Sequence, residues 1–125
     1  MSADRRFAVL GALFALTGVG AGAFGAHGLK ARVAPELLAV FETGVRYQIY
    51  HALALLAVGL WLRNGPRRAL HAAGWLFAIG TLVFSGSLYV LTLTGTRWLG
   101  AVTPIGGAAL LLGWACLAWG IARGR

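Results

Sequence analysis

Four long stretches of this chain carry no charge, and they decide most of what it can fold into. Between Arg6 and Lys30 lie 23 uncharged residues, between Arg46 and Arg63 lie 16, between Arg68 and Arg97 lie 28, and between Arg97 and Arg123 lie 25. A bilayer-crossing helix needs about 20 predominantly apolar residues, with a range of roughly 17–25. Three stretches meet that need and the second falls just short. Composition agrees: of 125 residues, 59% are hydrophobic and 11% charged, with a mean hydropathy of +0.78. A soluble domain carries about 25% charged residues, and each helix of a soluble bundle needs a polar face. The first, third and fourth stretches have no charged stripe to turn to water. Disorder is excluded by the same apolar excess. The chain reads as an all-α membrane protein: a four-helix transmembrane bundle, one membrane domain over residues 1–125. The spacing predicts helices over Phe7–Ala26, Arg46–Leu62, Ala69–Leu93 and Pro104–Ala122.

The joints have turn chemistry. Arg63-Asn64-Gly65-Pro66 separates helices 2 and 3, with Gly as a helix stop and Pro in the first turn of the next helix. Thr94-Gly95-Thr96 closes helix 3, and Thr103-Pro104 reads as an N-cap followed by Pro at the first helical position. Helix 2 alone is too short, because 16 residues rise only about 24 Å against a hydrocarbon core of about 30 Å. The preceding residues 35–45 also read as helix. Pro35 suits a first position, Glu36 complements the positive helix end, and Leu37, Leu38, Phe41 and Val45 share an apolar side. An amphipathic helical segment is therefore expected to run from Pro35 into helix 2, its outer part on or above the interface, with Gly44 as a place to bend.

Four crossings put both termini on one side. That side holds Arg5, Arg6, Arg63, Arg67, Arg68, Arg123 and Arg125; the other holds Lys30, Arg32, Arg46 and Arg97. Seven cations against four predict cytoplasmic termini. The net charge of +8 is then a topology signal and an attraction to the lipid bilayer's anionic head groups. It is no nucleic-acid footprint, since no basic stripe with interleaved aromatics lies outside the spans. Arg5-Arg6, an apolar run and Ala21-Gly22-Ala23 together imitate a signal peptide, but three more spans follow, so an uncleaved first helix is expected.

Lipid gives helices no hydrophobic reason to associate, so they need close packing and hydrogen bonds. Small residues recur at the required spacing: Gly11, Ala15, Gly18, Gly22 and Gly25 in helix 1, Gly74, Ala78, Thr81 and Ser85 in helix 3, and Gly106, Ala109, Gly113, Cys116 and Gly120 in helix 4. Steps of three and four keep each stripe on one face. The stripes suit packing within the bundle, and one left over would suit a homo-oligomer or a membrane-protein partner. Cys116 reads as a small packing residue. Trp61 and Trp98 read as interfacial anchors, and Trp75 and Trp114 as bundle filling.

The polar residues concentrate around residues 42–51. Glu42 and Arg46 stand four apart in the acid-first order that favours pairing, and Tyr47 and His51 form a second such pair. His27 ends helix 1 at the same outer end, and Ser87 lies where helix 3 finishes. His27, Glu42, Arg46, Gln48, His51 and Ser87 form the candidate polar cluster, in the outer half of the bundle. These groups could satisfy one another, or bind a ligand or handle protons. A haem or metal held by His27 and His51 has no supporting carboxylate or thiol pattern, so no cofactor and no metal are expected.

In order along the chain stand Gly25-Ala26-His27-Gly28-Leu29, the run from Glu42 to Ala54, Phe84-Ser85-Gly86-Ser87-Leu88-Tyr89, and Thr103-Pro104-Ile105-Gly106-Gly107. These four motifs resemble the domain of unknown function 423 family, the bacterial YgdD-like inner-membrane proteins related to eukaryotic transmembrane protein 256. The resemblance implies a small multi-pass membrane protein, without an established activity and so without catalytic residues. From the residues, the favoured function is a structural or accessory protein acting through helix–helix contacts. The alternative is a transporter or ligand-binding membrane protein using the polar cluster. A coupled pump wants an ionisable group along its path, yet the only acids are Asp4, Glu36 and Glu42, and none is at the bilayer centre. An enzyme is not expected: Ser87, His51 and Glu42 are the only imaginable triad and their spacing does not require one.

Overall fold

Each uncharged stretch becomes one helix. The computed structural model describes residues 1–124, and its helices are α1 (Ala3–His27), α2 (Pro35–Leu62), α3 (Arg68–Thr94) and α4 (Thr103–Ala122). Short 3₁₀ turns at Leu29–Ala31 and Arg97–Ala101 occupy the two links at one end of the bundle. All four helices are long and apolar enough to cross a membrane. The segment before helix 2 is helical, and α2 runs without interruption through Gly44 as one helix of 28 residues, about 42 Å long. Gly44 serves close approach instead of a break. A Cβ there would lie 2.8 Å from Cε1 of Tyr89, and its carbonyl accepts a hydrogen bond from Ser85 Oγ at 2.6 Å.

The joints depart from expectation in two details. Thr103 is the first residue of α4, not its N-cap, which is Val102. The Thr103 hydroxyl is paired with Ser87 Oγ at 2.5 Å, and so holds α4 to α3. Pro66 stands ahead of α3, whose N-cap is Arg67. Gly65 before it takes a φ of 128°, which a residue with a Cβ strongly disfavours. The Arg67 guanidinium then donates to the carbonyl of Gly120 at 3.0 Å, satisfying one of the orphan carbonyls at the end of α4. At the opposite end Gly95 closes α3 in the left-handed conformation.

The helices pack in chain order: α1 on α2, α2 on α3 and α3 on α4. Only a slight contact joins α1 to α3. The central pair α2–α3 thus carries an outer helix on each flank. The main core is Phe7, Leu55, Val58, Leu70, Ala73, Phe77, Leu110 and Leu117, with a smaller cluster of Leu29, Phe41 and Val45 near the 3₁₀ links.

Glycines set how closely the flanking helices approach. In α1 a Cβ on Gly11 would lie 2.6 Å from the backbone oxygen of Ala52, one on Gly18 would lie 2.9 Å from Ile49, and one on Gly25 would lie 3.2 Å from Phe41. In α4 a Cβ on Gly106 would lie 2.5 Å from the backbone nitrogen of Phe84, one on Gly113 2.8 Å from the ring of Phe77, and one on Gly120 2.8 Å from Leu70. Both stripes are used inside the chain. In α3, Gly74 receives the Phe7 ring, which would lie 2.6 Å from an added Cβ. Gly44 and Gly59 of α2 and Gly80 of α3, outside the expected stripes, make equally close approaches.

These distances rank substitutions. Gly106→Leu must push α4 off the Phe84 backbone, and overpacking of this kind costs about 1–3 kcal/mol or more. Gly20 has nothing within 4 Å of an added Cβ, so Gly20→Ala is expected to leave stability unchanged or raise it by up to about 1 kcal/mol. Thermal unfolding in a mild detergent should show a large drop for the first and none for the second; equal midpoints would contradict this packing.

Candidate functional site

Gln48, His51 and Thr81 are buried near the middle of their helices, while Ser87 and Thr92 are buried toward the end of α3. Gln48 lies 13 residues from Pro35 and 14 from Leu62, and Thr81 lies 13 from each end of α3. Because α2 is continuous from Pro35, Gln48 and His51 both fall near its centre.

Gln48 ties three helices together. Its Nε2 donates to the Phe14 carbonyl at 2.9 Å and to Thr17 Oγ1 at 2.8 Å, both on α1. Its Oε1 accepts from the Tyr89 hydroxyl of α3 at 2.6 Å. The amide orientation is fixed chemically, because a carbonyl such as that of Phe14 can only accept. Away from water, such bonds remove groups that would otherwise stay unsatisfied in hydrocarbon.

This network borders a groove between α1 and α3, floored by α2. It has a volume of about 330 Å³ and is lined by Phe14, Thr17, Ala21, Gln48, Thr81, Leu82, Ser85, Gly86 and Tyr89. No charged side chain lines it. Most of its wall is apolar, with hydroxyl and amide groups at mid-depth. One of them, Thr81 Oγ1, is buried and has no hydrogen-bond partner, the only such side-chain atom among the described residues.

On the other flank, His51 of α2 faces α4. Its Nδ1 donates to the Tyr47 carbonyl at 2.7 Å, and the Trp114 indole N–H donates to its Nε2 at 3.0 Å. A carbonyl only accepts and an indole N–H only donates, so the ring is the neutral Nδ1–H tautomer with both nitrogens used. The ring is packed against Phe77 and Trp114, with centroids at 5.5 and 5.7 Å. A second groove beside it, about 420 Å³, runs between α2 and α4 and is almost wholly apolar. Trp114, read from the sequence as filling, is a hydrogen-bond donor that remains 45% exposed.

The six residues of the expected cluster are not one network. Gln48 belongs to the α1–α3 groove, His51 to the α2–α4 side, and Ser87 to the pair with Thr103. His27, Glu42 and Arg46 are exposed. Arg46 donates to the Thr43 hydroxyl at 3.3 Å and not to Glu42. His27 ends α1, while His51 is near the middle of α2 with both nitrogens engaged, so they do not form a pair of ligands. Among the described residues no three of His, Cys, Asp or Glu gather to hold a metal ion. Thr17, Tyr89, Thr81 and Trp114 were not in the expected cluster. Tyr89 stood in one of the recognised motifs and Thr81 in a small-residue stripe, so each carried a signal without its partner.

Gln48→Leu would strip three interhelical bonds at once. Bonds of this kind average about 0.6 kcal/mol in a membrane protein, so the expected loss is about 2 kcal/mol. Trp114→Phe removes one donor and leaves His51 Nε2 without a partner, an expected loss of about 1 kcal/mol. Unfolding in detergent should order the proteins native, Trp114→Phe, Gln48→Leu; the reverse order would contradict the central role of Gln48.

The family described as a protein of unknown function, DUF423, matches residues 21–107. A UPF0382 membrane protein of Staphylococcus saprophyticus is 46% identical over 114 residues, covering 91% of this chain and 94% of its own length. A UPF0382 membrane protein of Staphylococcus aureus is 47% identical over 111 residues, covering 89% and 90% respectively. The UPF0382 membrane protein YwdK of Bacillus subtilis is 46% identical over 109 residues, covering 86% and 89%. No solved structure matches the chain. The matched segment runs from the end of α1 through the start of α4 and so takes in Gln48, His51, Thr81, Tyr89 and Ser87, and the chain belongs to the DUF423 family of small membrane proteins.

Proposed function

We propose that the protein is a non-catalytic accessory of the cytoplasmic membrane that holds a neutral, lipid-dissolved molecule in the groove between α1 and α3. The observation that carries this reading is the buried Gln48–Thr17–Tyr89 network at the centre of the spans, in the wall of an open groove. Polar residues at that depth are costly and serve interhelical contacts, pathways or binding sites, and cavities between bundle helices are a common place for ligands. The absence of any charged lining selects an uncharged occupant. Proton-coupled transport has less support, because the sequence's acids lie toward the helix ends and the buried imidazole has both nitrogens engaged.

The helix-contact part of the reading rests on the seams inside the chain. The glycine stripes of α1 and α4 already meet α2 and α3. A partner protein or second copy would dock on the larger side chains of the flanking helices, such as Leu16, Val19, Leu111 and Leu112, which are all exposed. Both termini belong on the cytoplasmic side, where seven of the eleven cations of the sequence fall.

A neutral diazirine-bearing alkyl probe, photoactivated with the protein in nanodiscs, tests the groove. Labelling is expected to concentrate on Phe14 and Leu82 and to fall in Gln48→Leu. Even labelling of all lipid-facing residues, with Leu111 as strong as Leu82, would dispose of the reading. Reporter fusions at the two ends are expected to place both in the cytoplasm; a periplasmic signal from either would overturn the orientation.

A further inference from the structure

Thr81 breaks a rule that the other helical threonines of this chain keep. The hydroxyls of Thr17, Thr43, Thr92, Thr94 and Thr103 each donate to the carbonyl four residues earlier, at 2.9, 3.0, 2.8, 2.7 and 3.3 Å. This back-bonding is how a threonine ordinarily satisfies its hydroxyl within a helix. Thr81 does not do so, and its Oγ1 has no partner, although the residue is only 3% exposed. A buried hydroxyl without a partner is costly, and a Val would fill the same volume without that cost.

The rest of the groove has used its donors. Both N–H bonds of the Gln48 amide are committed to α1, the Tyr89 hydroxyl donates to Gln48, and Ser85 Oγ donates to the Gly44 carbonyl. Thr17 donates to Leu13. The one O–H left over among the lining residues belongs to Thr81; its oxygen is covered by its neighbours, so an acceptor in the groove reaches it only when they part. It lies at the centre of α3, far from the head-group region, beside apolar walls and with no lining charge.

We propose that the groove takes a lipid-soluble molecule bearing an uncharged carbonyl group, whose oxygen accepts the hydrogen bond of Thr81. This rests on the groove being a binding site and adds the chemical class of what it holds. A free donor calls for an acceptor. A phosphate or carboxylate is excluded by depth and by the lack of a cation in the wall, since an ion there would be desolvated without a counter-charge. A plain alkyl chain would fill the apolar part and leave Thr81 unsatisfied. The carbonyl could belong to a quinone-type ring or to the ester of a neutral glycerolipid.

The test uses displacement of the alkyl photoprobe from the native protein in nanodiscs by decylubiquinone, dioctanoylglycerol and dodecane. At least one carbonyl compound is expected to displace the probe at roughly tenfold lower concentration than dodecane, the advantage of one hydrogen bond made away from water. The more effective of the two identifies the source of the carbonyl. In Thr81→Val that advantage is expected to vanish, while the variant without ligand unfolds at the same temperature as the native protein or higher. Three results would overturn the proposal: dodecane displacing as well as both carbonyl compounds, an advantage that survives in Thr81→Val, or a clearly lower unfolding temperature for Thr81→Val. Probe labelling of the groove that no carbonyl compound displaces refutes the ligand class and leaves the groove reading standing. No groove labelling at all refutes the groove reading itself.

Discussion

Backbone-to-backbone approach at glycine is the contact on which this fold depends. In water, burial of Leu and Phe would drive the helices together; in lipid, the side chains are as well solvated apart as together, and only dispersion contacts and hydrogen bonds favour association. Dispersion falls off steeply with separation, so the helices must come close. Gly11 against Ala52 and Gly106 against Phe84 allow this at two seams. Once α1 sits that close to α2, Gln48 can reach the Phe14 carbonyl, and once α4 sits that close to α3, Ser87 can reach Thr103. The polar bonds are consequences of the approach, and they add direction to packing that by itself has little.

The arrangement leaves two grooves of different character. Since α1 rests on α2 and α4 on α3, each flanking helix leaves an opening toward the more distant member of the central pair. Both grooves reach the polar centre of the bundle. The α2–α4 groove meets His51, whose two nitrogens are taken by Tyr47 and Trp114. The α1–α3 groove meets Thr81, whose hydroxyl is not taken. Similar openings in one small protein thus differ in whether the polar chemistry at their base is complete.

The helices were legible because the hydrocarbon core imposes a minimum length on any uncharged segment, and charges at Arg6, Arg63, Arg68, Arg97 and Arg123 mark where each span must end. The stripes of α1 and α4 were legible because 3.6-residue periodicity puts Gly11, Gly18 and Gly25, and Gly106, Gly113 and Gly120, on single faces. Which helix each stripe would meet was not, since periodicity gives a face and not a neighbour. The polar cluster failed for the same reason. Glu42, Arg46, Gln48 and His51 are close in sequence, but one helix sends them toward different surroundings. Arg46 turns to Thr43, Gln48 to α1 and α3, and His51 to α4. Tyr89 and Trp114, the partners that define the two buried sites, lie 41 and 63 residues from the groups they bind. No local pattern could have paired them.

The chemistry lining the two grooves is dipolar throughout. Amide, hydroxyl, indole and neutral imidazole meet there, and the nearest charge along α2, Arg46, is exposed two residues before Gln48 and lines neither groove. An ion moved to that depth would lose hydration that no charge in the wall returns, whereas a dipole loses far less and can recover it with one well-placed hydrogen bond. On the proposed reading, a groove built this way favours a molecule that already prefers the membrane interior and differs from its surroundings by a single polar group. Such a ligand needs no gradient to reach the groove and no opening to water, because the groove faces the phase in which it is dissolved. Recognition then reduces to whether the wall offers the complementary half of that bond. In a wall whose other donors are already committed, the free Thr81 hydroxyl is the group able to make the distinction.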